Sequence, residues 1–201
     1  LTQGGHAVTV IEKSPYPRHK VCGEYISNET LPYLKTLGVD PMKDGAIPID
    51  TFNFTHINGK NFRSSLPLGG YGISRFKMDA LLFEKARDLG CTFVFDRVVE
   101  VRFEQGLFYV ETANDKTFKA GLVIGAHGKR SNLDVSLSRK FAARKSPWLA
   151  IKAHYTCDVQ ENEVALHNFK GGYCGISKVE DDLSLLLSFV STTKKVKVCS
   201  E

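Results

Sequence analysis

Three short stretches of this 201-residue chain hold the side chains from which chemistry could be built. The first is His6–Glu24. Ala7-Val8-Thr9-Val10-Ile11 reads as a short buried strand, and it ends on a carboxylate, Glu12, with Lys13 beside it. Gly4-Gly5 stand just before, where a preceding helix would stop. A helix end, a tight turn, an apolar strand and a terminal acid make up the second half of a nucleotide-binding βαβ unit. In that unit the acid accepts hydrogen bonds from the ribose hydroxyls of a dinucleotide. The glycine fingerprint that cradles the pyrophosphate belongs roughly 20 residues upstream of such an acid. Counted back from Glu12 it falls before Leu1, so the sequence predicts a chain that opens inside the first helix. The plain alternative for Glu12 is a surface carboxylate at a strand end. Beyond the acid, Arg18 and Lys20 supply two permanent cations, and Cys22-Gly23 a thiol followed by a flexible step.

The second stretch begins at Ile73-Ser74-Arg75. Met78, Leu81, Leu82, Ala86 and Leu89 keep helical spacing behind it, and Gly90 follows as a stop. A helix N-terminus favours anions, and an arginine there adds to the attraction; a surface cation is the alternative for Arg75. Asp79 reads as a helix-surface or capping residue. The third stretch is Leu122-Val123-Ile124-Gly125-Ala126-His127-Gly128, an apolar strand that delivers a glycine-rich turn. His127 can donate to a phosphate or a hydroxyl there, or serve as a structural histidine.

In this order the stretches resemble the flavoprotein group that contains geranylgeranyl reductases and para-hydroxybenzoate hydroxylase-like monooxygenases. Members carry a strand ending in Glu, then an Arg, then in the reductase branch a Lys-x-Cys-Gly run beside the flavin. Glu12, Arg18 and Lys20-Val21-Cys22-Gly23 match. Ile73-Ser74-Arg75-x-x-x-Asp79-x-x-Leu82 resembles the segment whose Arg faces the flavin's phosphate and ribityl region. Gly125, Gly128 and Ser131 match a V-I-G-A-D-G-x-x-S motif, with His127 where the usual Asp would be. The resemblance implies FAD held by Glu12, Lys13, Arg18, Lys20, Cys22, Gly23, Arg75, Val98 (through its backbone), Gly125, His127 and Gly128. It also implies NADPH or NADH as electron donor, and a small-molecule, isoprenoid or aromatic substrate. Reductase and monooxygenase rank equally, ahead of halogenase. Tyr173 either lines the substrate cavity or packs as a core aromatic, and Gly175 occupies the position of a reductase tryptophan. No acid–base dyad or nucleophile constellation is visible, which suits chemistry lodged in a cofactor.

The elements that must position these residues read as an α/β fold: a Rossmann-type FAD-binding domain (1–47 and 75–145) with an antiparallel substrate-domain sheet (48–74 and 146–201), incomplete at both ends. Ile26–Gly38 reads as a helix capped by Ser27 or Asn28, with Pro32 in its first turn. Ile49–Thr55 and Asn61–Leu66 read as a hairpin on a type I′ turn at Asn58-Gly59, and Gly69–Gly72 as a further turn. Thr92–Phe95, Arg97–Phe103, Leu107–Glu111 and Lys116–Lys119 are successive strands, the last three a meander, followed by the strand Leu122–Ala126. Trp148–Thr156, Glu163–Phe169, Tyr173–Val179 and Leu183–Val190 read as a second antiparallel meander.

Composition narrows the classes. A formal charge of +5 is mild, and no nucleic-acid-binding signature is present. Lys129, Arg130, Arg139, Lys140, Arg144 and Lys145 gather against one acid, Asp134, and read as a solvated linker face ahead of a rim for phosphorylated substrate, pyrophosphate lipid or NADPH. Five scattered cysteines, never in C-x-x-C spacing, argue against a metal site or disulfide framework and for a cytoplasmic location. No apolar run reaches the ~20 residues of a membrane span, which leaves peripheral membrane contact and oligomeric state open. A second reading is a truncated, non-catalytic chain with weak or no FAD binding, acting as an interaction module, since neither the phosphate loop nor the family's later Gly-Asp motif is in the sequence.

Overall fold

The computed structural model describes residues 1–128, 131–143 and 146–191. Lys129, Arg130, Arg144, Lys145 and the Lys-rich segment after Ser191 lie outside the described residues. In chain order the elements are β1 (Thr9–Glu12), β2 (Tyr25–Ser27), α1 (Leu31–Thr36), β3 (Ile47–Thr55), β4 (Asn61–Gly72), α2 (Arg75–Asp88), β5 (Thr92–Phe95), β6 (Val98–Glu104), β7 (Leu107–Thr112), β8 (Thr117–Ala120), α3 (Asn132–Ser136), β9 (Trp148–Tyr155), β10 (Glu163–Phe169), β11 (Gly172–Lys178) and β12 (Ser184–Ser191). They fall into two compact units, one of residues 1–15 and 86–145, the other of 16–85 and 146–201. The chain passes between these units at 15/16, 85/86 and 145/146.

In the first unit the apolar run before Glu12 forms β1, which pairs in parallel with β5, Glu12 opposite Phe95. Gly5 closes a single 3₁₀ turn ahead of it at φ +81, a left-handed conformation that glycine adopts without steric cost. The expected meander is present as a separate antiparallel sheet, β6-β7-β8. Val110 is buried in it, and Arg102 fans out to Glu100, Glu104 and Glu111. Leu122–Ala126 does not form the expected strand. A parallel strand of this composition is normally covered on both faces, and here Leu122 and Ile124 stand 69% and 65% exposed.

The second unit is built on a seven-stranded sheet of order β2-β4-β3-β10-β11-β12-β9, antiparallel throughout except for the parallel pair β3–β10. The expected four-strand meander is therefore broken: β9 crosses to the far edge and pairs with β12, while β10 joins the β3–β4 hairpin. That hairpin closes through residues 56–60, from Thr55 to Asn61, with Gly59 at φ +82; it is longer than the two-residue turn expected. Gly69–Gly72 are not a turn but the end of β4. They leave room for a neighbouring strand, since a Cβ on Gly70 would stand 2.5 Å from the Tyr25 ring. That close approach draws Tyr25-Ile26-Ser27 into β2 and shortens the expected Ile26–Gly38 helix to α1. Ser27 Oγ still accepts from Glu29 N, capping the 3₁₀ turn before α1, and Pro32 sits in the first turn. Leu34, Val39, Ala46, Tyr71, Ile73 and Met78 form the core between α1, α2 and this end of the sheet, with Tyr71 Oη bonded to Thr30 Oγ1 at 2.9 Å.

Candidate functional site

The segment from Tyr16 to Glu24 runs without secondary structure into β2, so side-chain bonds must hold it. Tyr16 stacks on Phe83 at 5.2 Å, and both Arg18 and Lys20 lie over the Tyr16 ring, at 4.7 and 5.4 Å. Lys20 Nζ also reaches Asp79 Oδ2 at 2.8 Å. One turn back on α2, Arg75 grips the same carboxylate with two bonds, 2.8 and 2.9 Å. The structure thus brings Lys20 and Arg75, two residues of the predicted set, together on Asp79, with Cys22 half-buried in the same loop. Asp79 is neither a surface residue nor a cap: its side chain is 9% exposed.

Burial pushes the Asp79 carboxyl up, but the bonds from Arg75 and Lys20 outweigh it and hold the group below its ordinary 3.8. A carboxylate depressed on folding stabilises the fold above its unfolded value and loses that contribution as pH falls through its folded value. Asp79→Asn should therefore lower stability by about 1–2 kcal/mol at neutral pH, screening by solvent at the exposed parts of Arg75 and Lys20 included. Urea midpoints of the two proteins should converge as pH falls from 7 towards 3. A gap that stays constant with pH would refute the ion-pair account.

Glu24 organises the other side of the cluster. It is fully buried and holds a left-handed backbone, φ +50. Its carboxylate accepts from Arg75 N at 2.6 Å, from His154 Nε2 at 2.7 Å and from Lys152 Nζ. Lys152 also donates to the Lys20 carbonyl at 3.1 Å, tying the loop to β9. At the position just before Arg75, Ser74 N and Oγ both donate to the buried Glu180. The amides expected to attract a cofactor phosphate at this helix start are thus bonded to the protein's own Glu24 and Glu180. His19 stacks on Phe76 at 4.9 Å and stands edge-on to His154 at 5.3 Å. Gly23 is exposed beside Glu24. Tyr173 on β11 is half-buried, and register puts it on the sheet face that carries Lys152 and His154.

In the first unit, Glu12 is half-buried at the end of β1 and accepts from the backbone N of exposed Lys13 at 2.8 Å. Val98 opens β6, half-buried. His127 Nδ1 lies 3.1 Å from the Gly128 carbonyl, and its Nε2 is 3.8 Å from Asp134. Asp134, on α3, is 3% exposed and also 3.4 Å from Arg139. The turn that lacks an acid at 127 has one close by.

Sequence reasoning missed Glu24, Lys152, His154 and Glu180, and it missed the acid–base pair Glu24–His154. The one signal available was Lys152 and His154 at alternate positions of an otherwise apolar strand, which places both on one face.

No family model matches this chain, nor does any curated protein. Solved structures do. The flavin-dependent brominase Bmp2 aligns over 96% of this chain and 52% of its own, at 18% identity and a TM-score of 0.75. The chain has the fold of flavin-dependent halogenases. The myxobacterial chondrochloren halogenase CndH covers 96% of this chain and 49% of its own, at 18% identity and a TM-score of 0.75. CmlS, a flavin-dependent halogenase, covers 94% and 38%, at 20% identity and a TM-score of 0.79. The chain spans about half the length of these structures or less. The expected mixed α/β class stands. Among the described residues no helix is long and apolar enough to cross a membrane.

Proposed function

We propose that the chain is part of an FAD-dependent oxidoreductase. The observation that carries this reading is the likeness of nearly the whole chain to the fold of several flavin-dependent enzymes. The residues present fit the group. Gly128 lies at φ +71 with open space where a Cβ would stand, and Gly125 has only the His127 ring within 4 Å, so the backbone of this turn is open to a ligand. In the first unit Glu12, with Lys13, would hold the adenosine ribose, Val98 would meet the adenine through its backbone, and Gly125, His127 and Gly128 would face the pyrophosphate and ribityl chain. In the second, Arg18, Lys20 and Arg75 would serve phosphates or the flavin edge, with Cys22-Gly23 beside the ring. FAD would supply the redox chemistry, with NADPH or NADH as donor. The likeness to halogenases, and Gly175 in place of a reductase tryptophan, favour oxidation of an organic substrate over alkene reduction.

The absorption spectrum of the purified chain tests this, with a bound flavin band as the expected result. Glu12→Ala combined with Arg75→Ala should weaken FAD binding at least ten-fold in a fluorescence titration. A colourless chain that takes up no added FAD would instead make it a non-catalytic interaction module, and unchanged affinity in the double variant would remove both residues from the site.

A further inference from the structure

The Glu24–His154 pair is not among the residues assigned to the flavin above, and it has the arrangement of an acid–base centre. We propose that Glu24 and His154 form a dyad whose imidazole takes the proton of a hydroxyl-bearing substrate (an alcohol, enol or phenol), with His19 as its outlet to solvent. Glu24 is fully buried, and its two oxygens are divided between Lys152 and His154. With the carboxylate ionised, the His154 nitrogen bonded to it, Nε2, carries a proton. In the neutral imidazole this leaves a bare lone pair on Nδ1, and among the described residues Nδ1 has no hydrogen-bond partner. The His154 side chain is 13% exposed, which makes the nitrogen reachable without being freely solvated.

In the transfer the substrate O–H bond breaks, its electron pair stays on oxygen and the proton goes to Nδ1. Glu24 stays ionised and holds the imidazolium in place, the role of the carboxylate in any carboxylate–histidine pair. The proton then leaves through exposed His19, whose ring is held by Phe76. The charged groups around the dyad are Lys20, Arg75 and Lys152 against Glu24, Asp79 and Glu180, so the cations that would face the oxyanion are already matched by carboxylates of the chain. What that anion does next rests on the flavin reading; the proton transfer does not.

The probe is 4-nitrophenol, colourless when neutral and yellow when ionised, added below its own ionisation range and read as a difference spectrum against the chain alone. A saturable yellow signal, several-fold above the probe in buffer, is expected, falling at least ten-fold in His154→Gln. The amide of that variant can still donate to Glu24, which preserves the fold. In His19→Ala, an exposed position, the same end point should be reached more slowly and be hastened by imidazole buffer. Absence of binding, binding without colour, or colour that persists in His154→Gln would each overturn the proposal. So would nitrogen NMR of the unaltered chain showing His154 protonated on Nδ1. A chain that ionises the probe but takes up no flavin would defeat the flavin reading alone.

Discussion

Replacing Glu24 with glutamine should lower stability by about 3–5 kcal/mol, the range observed when one member of a buried ion pair is removed. The change is nearly isosteric, so packing is not the cause. Glu24 is fully buried and the Lys152 side chain is 5% exposed, so the ammonium would be left without a counter-charge and without water. The amide would also turn a donor towards Lys152, His154 or the Arg75 backbone N–H, each of which needs an acceptor. The double variant Glu24→Gln/Lys152→Met removes the stranded charge and should recover a large part of the loss. Urea denaturation of the four proteins of that cycle measures it. A single variant within 1 kcal/mol of wild type, or a double variant no better than the single, would show that the pair is not coupled as described.

Gly72→Ala should be comparably damaging for a different reason. A Cβ there would stand 2.0 Å from the carbonyl oxygen of Lys178 and 3.4 Å from Ile49 Cδ1. The first is backbone at the end of β11, in register with Ser184 of β12, and it cannot swing aside as a side chain could. Overpacking in a core typically costs about 1–3 kcal/mol, occasionally more, and a clash against sheet backbone belongs at or above the top of that range. Gly121→Ala is the control: nothing lies within 4 Å of the added carbon, and the expected change is within about 0.5 kcal/mol. Thermal unfolding followed by circular dichroism separates the two, and equal melting temperatures would be incompatible with the close approach at Gly72.

Much of the second unit was legible because its cues are local. Glu163–Phe169 alternates and becomes β10 without a change of boundary, and Arg75 and Asp79 are four residues apart on a helix, the spacing at which side chains meet. Leu31, Leu34 and Leu37 form a helical stripe that makes Ile26 look helical in the sequence. What makes it a strand is the bare backbone of Gly70 and Gly72, far along the chain. The Glu24 node is hidden more deeply, since Glu24 and Lys152 are 128 residues apart in sequence. No periodicity reports which acid will meet which base across such an interval. In the first unit, Leu122–Ala126 has the composition of a buried strand, but strand formation needs a ladder partner as well as apolar side chains.

The parallel pairing of β3 with β10 also bears on how the chain is made. Phe52 cannot meet Val164 until everything between them has been synthesised. At about 5–20 residues per second, on the order of ten seconds separates the two strands as they leave the ribosome. A β3–β4 hairpin formed in that interval would have one bare edge, the kind of edge to which other chains add. The bare edge of β3 is therefore open to mispairing while the middle third of the chain is being translated.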